Sequence, residues 1–295
     1  MMYSLRIFRD LSATGSFTGA AVRNHITQSA VSHHIRIMEE KFGNRLIIRG
    51  RRSVRLTEAG KKVLHAAQDV LTRIERLESS LRNESGEISG EIRIATTIAM
   101  GLHELPLYSG PFSKAHPKVT FRLNYTRGNK IYEHLLDHEA DLALIASPKQ
   151  HPLLKIHVFK KSRAVIIVPI SWSFKVFERS RLPELFQKPF IALEKGLPTH
   201  HAIDRMIKAL GVRSKTLNTF DNIESIKQAV EFGLGFSVVP EVTITKEVQL
   251  KRLRKIVVPD ESWEYPMAVI TRKNAEPSPA VQAFLQFIHS LKTCG

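Results

Sequence analysis

SFTGAAVRNHITQSAVSHHIRIMEEKFG, residues 16–43, holds two short apolar-periodic segments on either side of a break at Asn24-His25. Ser16 is placed to cap the first, in which Phe17, Ala20 and Ala21 share a face, and Thr27 to cap the second. In that second segment Ala30, Val31, Ile35 and Met38 recur at helical spacing. Ala20, Ala21 and Ala30 are small where the two backbones approach, as a helix-turn-helix requires. A short helix with Leu5, Phe8 and Leu11 on one face comes before it. The start and polar face of the third helix present Thr27, Gln28, Ser29, Ser32, His33 and Arg36, short or fork-shaped side chains that suit base edges and phosphates. An ordinary solvated face is the alternative. Such a face mixes Glu with Lys, whereas this one carries only Arg and His charges until Glu39.

Outward from this core lies LIIRGRRSVRLTEAG (46–60). Two strand-like runs flank a basic tip of Arg49, Gly50, Arg51 and Arg52, and Arg55 follows on the second run. This is a wing suited to phosphate or minor-groove contact. Thr57 caps a long helix with Glu58 in its first turn. Along that helix Val63, Ala67, Val70, Ile74, Leu77 and Leu81 are spaced 4, 3, 4, 3, 4, a heptad seam. The seam needs a partner, most simply the same helix of a second chain. Packing onto its own domain is the alternative.

The chain has 295 residues, 43% apolar and 24% charged, which excludes a disordered polymer. No apolar run reaches membrane-spanning length, and no secretory signal is read at the start. One cysteine, Cys294, leaves no internal disulfide framework, and the thirteen histidines form no HExxH pattern, so no metal or cofactor is expected. The net charge is +16, and residues 1–62 carry twelve Lys+Arg against four Asp+Glu. That concentration points to a polyanionic partner for the N-terminal segment.

The patterns FxxLSATGSFTGAA (8–21), ITQSAVSHHIRIMEEKFGNRLIIR (26–49) and VRLTEAG (54–60) resemble those of LysR-type transcriptional regulators, and the similarity extends over essentially the whole chain. Against that family, Ser29 stands where proline is frequent, His33 where arginine is frequent, and Ile47 where phenylalanine is usual. His33 is mostly neutral at pH 7 and can act as a pH-sensitive contact.

After a break at Gly86–Gly90, strand-like and helix-like segments alternate, which reads as α/β layers with mainly parallel sheets. Strands are expected at 91–96, 119–125, 141–146, 154–160, 162–168, 189–193, 215–220, 236–239 and 265–271. Helices are expected at about 102–115, 129–138, 199–210, 222–232 and 278–292. The expected fold is an N-terminal winged helix-turn-helix (1–62), a coiled-coil linker helix (63–88) and a two-lobed α/β effector-binding domain (89–295). Its first lobe is 89–164 with 265–295, and its second is 165–264. This resembles the family's effector domain, itself similar to periplasmic binding proteins.

A ligand in such a fold sits at strand carboxyl ends, against helix N-termini. Thr96, Thr97 and Ile98 follow the first strand. Thr199, as N-cap, and His200 open one helix, and Asn222 and Ile223 open another. Gly128 and Asn129 open a fourth. The resemblance implies effector contacts for Thr97 and Thr199, although each hydroxyl could instead serve as a helix cap. His200 and His201 could pair with an anion or simply face solvent. There is no GxSxG, P-loop or strand-following GxGxxG, and Gly233-Leu234-Gly235 reads as a turn, so no catalytic residues are expected.

The implied protein is a cytoplasmic, non-enzymatic, sequence-specific regulator of double-stranded promoter DNA. It forms a homodimer or homotetramer, responds to a small effector with a lean toward an anion, and engages RNA polymerase if it activates. An architectural DNA-binding protein and a solute-binding protein are the alternatives. The first gives no role to the C-terminal two hundred residues, and the second none to the N-terminal domain.

Overall fold

The computed structural model describes residues 1–50, 54–82, 87–174, 176, 178–195, 197–210, 216–260, 263–273 and 275–291. Arg51, Arg52, Gly86 and Cys294 lie outside the described residues, as do the side chains of Arg49, Leu81 and Asn129. The chain forms two units, Met1–Glu87 and Ile88–Gly295.

In the first unit, α1 (Met2–Thr14), α2 (Phe17–Asn24) and α3 (Gln28–Phe42) close around Ile7, Phe8, Leu11, Val31, Ile35 and Met38. Both expected caps form: Ser16 Oγ accepts from Gly19 N–H at 3.3 Å and Thr27 Oγ1 from Ala30 N–H at 3.2 Å. The wing consists of β1 (Ile47–Arg49) and β2 (Val54–Leu56), paired antiparallel. Glu39 pins it, since one carboxylate oxygen accepts from the N–H groups of Leu46 and Ile47 at 2.8 and 3.3 Å. Thr57 Oγ1 caps α4 (Glu58–Arg82) by accepting from Gly60 N–H at 2.9 Å.

In the second unit, β3 (Gly90–Thr96) pairs parallel with β4 (Val119–Tyr125) and with β5 (Leu142–Ala146). The helical segment after β3 begins with a π-helical turn, Met100–Glu104, in which Leu105 N–H bonds back to Met100 C=O at 2.8 Å, and then becomes α5 (Pro106–Ala115). α6 (Gly128–Leu136) follows β4. The two strands expected at 154–160 and 162–168 are one strand, β6 (Leu154–Pro169), so the expected lobe boundary at 164/165 falls inside it.

The second lobe comprises α7 (Leu182–Phe186), β7 (Phe190–Leu193), α8 (Pro198–Ala209), β8 (Thr216–Phe220), α9 (Ile223–Glu231), β9 (Ser237–Pro240), α10 (Thr245–Gln249) and β10 (Leu253–Ile256). β11 (Glu264–Arg272) and α11 (Pro279–Ser290) then return to the first. The sheets are mixed rather than mainly parallel. β3, β4 and β5 run parallel, as do β7 and β8, but β6 is antiparallel to β9, β10 and β11, and β11 is antiparallel to β5.

The linker helix divides its apolar positions between two directions. Ala67 and Leu71 are buried in the core of the first unit, with Val63 and Leu64 packed against it. Two members of the expected seam, Val63 and Ala67, therefore serve their own domain, because the start of α4 docks on α1. Farther along, Val70 is 43% and Leu77 58% exposed, and Ile74 is half-buried. Among the described residues no helix is long and apolar enough to cross a membrane.

The docking of α4 depends on Gly60, where a Cβ would collide with the Leu46 carbonyl oxygen. In an exposed helix Gly→Ala stabilises by about 1 kcal/mol. At this site the overlap with backbone should reverse the sign, costing about 1–3 kcal/mol as overpacking does. Gly60→Ala should therefore lower the melting temperature of the first unit's transition in calorimetry. A raised one would show that α4 does not depend on this approach.

Candidate nucleic-acid interface and ligand cleft

On α3 the positions 29, 33, 36 and 40 fall on one face by helical spacing, and Ser29, His33 and Arg36 are exposed there. Thr27 and Gln28 are exposed at its start, and Ser32 is half-buried beside them. Hydrogen bonds hold this surface in place: Thr27 Oγ1 and Ser29 Oγ stand 2.9 Å apart, and Thr18 Oγ1 donates to Gln28 Oε1 at 3.4 Å. Arg36 Nη2 donates to His33 Nδ1 at 3.3 Å, which requires that nitrogen to be unprotonated. Behind it, His34 Nδ1 lies 3.1 Å from Ser4 Oγ, and its ring meets Tyr3 edge-on at 5.3 Å. Arg55 is exposed on the wing.

In the second unit a cavity of about 200 Å³ opens between the lobes. Thr97, Tyr125 and Arg127 line it from the first lobe, and Thr199, Asp221 and Asn222 from the second. A chamber of about 30 Å³ adjoins it through the shared Thr97, Thr199 and Ile223, and is walled by Met100, Tyr265 and Met267. Tyr125 reaches the cavity wall because residue 101 is glycine: a Cβ there would collide with the tyrosine ring. Burial pushes the Tyr265 phenol well above the usual tyrosine range, so it stays a neutral hydroxyl.

Two sets of charges cross between the lobes. Arg127 donates to Asp221 at 2.7 Å. His103, on the π-helical turn, lies 2.8 Å from Glu224 at the start of α9. Burial pushes the Glu224 carboxyl up, but its hydrogen bonds to His103 and Lys227 outweigh that and hold it below the usual value. Lys227 is only 3% exposed and satisfies its charge on Glu224, Glu247 and the Thr243 carbonyl, each at 2.8 Å. The next residue of the turn, the buried Glu104, accepts from Tyr108 and Lys160, both at 2.7 Å.

The structure divides the expected ligand residues. Thr97, Ile98, Thr199, Asn222 and Ile223 all line the cavity. Thr97 Oγ1 also accepts from Met100 N–H at 3.4 Å, so it caps and faces the cleft at once. Thr199 is not the N-cap of α8. Leu197 holds that position without a side-chain bond and Pro198 is the first helical residue, because proline's fixed φ and missing N–H favour it there. Thr96 is fully buried and donates to the Leu144 carbonyl at 2.8 Å, so its hydroxyl is consumed inside the sheet. Gly128 is buried at the start of α6. His200 stacks on His201 with centroids 5.7 Å apart and lies outside both cavity linings, and burial followed by His201 lowers its pKa. Tyr125 and Arg127 were missed, although their place at the end of a strand and just before a helix was the available signal.

A profile described as "Bacterial regulatory helix-turn-helix protein, lysR family" matches residues 2–61, and one described as "LysR substrate binding domain" matches residues 85–292. A "Probable RuBisCO transcriptional regulator" of Cyanidium caldarium is 29% identical over 293 residues, covering 97% of this chain and 92% of that one. A full-length OxyR variant from Pseudomonas aeruginosa superposes with a TM-score of 0.77 at 18% identity, covering 98% of this chain and 97% of that one. Full-length CbnR in complex with its target DNA gives 0.69 at 19% identity, covering 98% and 99%. The two solved structures establish the fold.

Burial, then His33, then the amino group of Met1 lower the His34 pKa from 6.5. The folded first unit thus binds this proton less readily than the unfolded chain. Its contribution to stability is full above that ordinary value and is lost as pH falls from there to the lowered one. The melting temperature of this unit should drop on mild acidification, and His34→Gln should flatten the slope. An unaltered slope would place the titration on another group.

Proposed function

This chain belongs to the LysR family, as a DNA-binding regulator with an effector domain and not an enzyme, and from that premise we propose how it works. It reads a promoter sequence through α3, with Gln28, Ser29, Ser32, His33 and Arg36 toward the major groove and Thr27 at the helix start. The wing, with Arg49, Arg51, Arg52 and Arg55, follows the phosphates. The outward half of the linker seam, Val70, Ile74 and Leu77 with Leu81 next in register, joins two chains into a dimer, and dimers can pair into a tetramer. A cytoplasmic setting fits a promoter-binding role, with RNA polymerase as a further partner where the outcome is activation.

The observation that carries this reading is the pairing, in one chain, of an exposed polar recognition face with a hydroxyl-lined cavity between two lobes. A ligand touching Thr97 on one lobe and Thr199 on the other binds the closed arrangement better than the open one. That difference in affinity is what shifts the population and, through the dimer, the spacing of two recognition helices. Gly128 and Asn129 would flank this ligand at the start of α6.

Arg36→Ala tests the DNA side. It should weaken binding to the cognate site in a gel-shift titration. A phosphate contact should also reduce the slope of log K against log salt by about 1, whereas a base contact should relax sequence preference. No change in either would remove α3 from the interface.

For the cleft, Thr97→Val and Thr199→Val keep shape but leave a ligand oxygen unpaired. Each should cost about 1–3 kcal/mol of effector affinity by calorimetry on the full chain. Unaltered binding in both would move the pocket elsewhere.

A further inference from the structure

The two bridges between the lobes differ in kind. Arg127 Nη2 donates to Asp221 at 2.7 Å, Glu194 lies 3.6 Å from Nη1, and a guanidinium is not deprotonated in proteins. Hydrogen bonds from Asn222 and then Arg127 hold the Asp221 carboxyl below its usual value, so this bridge stays charged at both ends. The other bridge ends on an imidazole, the side chain whose charge ordinarily changes between about pH 5 and 8. His103 Nε2 lies 2.8 Å from Glu224 Oε1, with the histidine 23% and the glutamate 36% exposed.

Glu224 is shared by its two oxygens. Oε2 is taken by Lys227 at 2.8 Å on the same helix, and Oε1 meets the first lobe. Lys227 also holds Glu247 and the Thr243 carbonyl, and all three of these partners belong to the second lobe. Burial pushes the Glu224 carboxyl up, but the bonds from His103 and Lys227 outweigh that and keep it charged. Around the π-helical turn, the remaining groups are committed elsewhere. Glu104 accepts from Lys160 of β6 and from Tyr108 of α5, whose Lys114 lies in its last turn. β5 has no ionisable side chain, and β4 brings Tyr125 against Gly101. The packed turn at 241–244 carries Glu241, which accepts from Lys255 at 2.6 Å. Glu104, Glu224 and Glu247 against Lys160 and Lys227 leave one surplus negative charge beside His103.

We infer that the His103–Glu224 contact is a proton-dependent latch between the lobes: a proton taken from solvent onto His103 turns the hydrogen bond into an ion pair and favours the closed arrangement. When the lobes part, His103 loses its acceptor while Glu224 keeps Lys227. The closed arrangement therefore binds this proton more tightly than the open one. By linkage, closing takes up a proton, so the latch is strongest at acid pH and is lost as pH rises through the imidazole range. The latch itself needs only the second unit. Its use as a pH input to promoter control rests on the regulator reading.

The test is double electron–electron resonance on the full-length protein. Spin labels go on Lys114→Cys in the first lobe and Arg205→Cys in the second, both exposed, in a Cys294→Ser background. An excess of unlabelled chain keeps the measured distance within one chain. Between about pH 8 and about pH 5 the distribution should shift toward the separation in this structure. His103→Gln keeps a donor but no charge and should not respond to pH. His103→Arg is permanently charged and should hold the acid distribution at both pH values, with circular dichroism confirming the fold of each variant.

A parent distribution that ignores pH overturns the latch. So does a His103→Gln variant that shifts as far as the parent, because the proton then binds elsewhere, as on His200 or His201. A His103→Arg variant that behaves like the neutral one overturns it too. Failure of the regulator reading would show separately, in promoter binding by the Arg36→Ala variant, on which the label distances do not depend.

Discussion

One strand belongs to both lobes. From Leu154 to Arg163, β6 hydrogen-bonds to β11 in the first lobe, and from Ala164 to Pro169 it pairs with β9 and β10 in the second. Its second half is buried without alternation, as expected of a strand covered on both faces. Because an unpaired buried backbone group is costly, neither lobe can release its half of β6 while staying folded. Relative motion must therefore be accommodated within the strand. A register shift against Met267 and Ala268 leaves Phe159 as an extra residue next to Lys160, and such a bulge is where a strand bends.

The charges near this bend are arranged accordingly. Lys160 follows the bulge and holds Glu104, whose neighbour His103 reaches across to the second lobe. Lys227 is enclosed by two carboxylates and a carbonyl on that second lobe. Buried ionic groups contribute little net stability, yet removing one partner leaves an uncompensated charge. Their value here lies in geometry: they fix which residues meet when the lobes are together. The cavity thus sits between the strand that both lobes share and an exposed ion pair at its mouth.

Where local chemistry decides an outcome, the sequence was easy to read. Ser16 and Thr27 are caps because a hydroxyl before an apolar-periodic run has an N–H three residues on to accept from, and that needs no tertiary information. The seam was harder. Val63 and Ala67 obey the same heptad spacing as Val70 and Leu77, but spacing cannot say which turns of a helix lie against their own domain. The reading of Thr199 as a helix cap failed on a competition between neighbours, since Pro198 takes the first helical position and moves the cap to Leu197. Arg127 escaped notice because a lone arginine in a basic chain carries no signal until Asp221 and Glu194, far away in sequence, are brought beside it. Thr96 and Thr97 looked equivalent, but β3 ends at Thr96, whose hydroxyl bonds inside the sheet, while Thr97 beyond the strand lines the cleft.

The π-helical turn after β3 amounts to one extra residue inserted into an otherwise ordinary helix. The insertion shifts the angular phase of everything before it relative to everything after it by about 100°, the rotation of a single helical step. Upstream, Thr97 and Met100 keep their phase toward the chamber, while downstream Tyr108 and Phe112 keep theirs toward the core. Deleting one residue within 100–104 would preserve either phase but not both. A one-residue change of length in this turn would therefore separate the orientation of the cavity wall from that of the core.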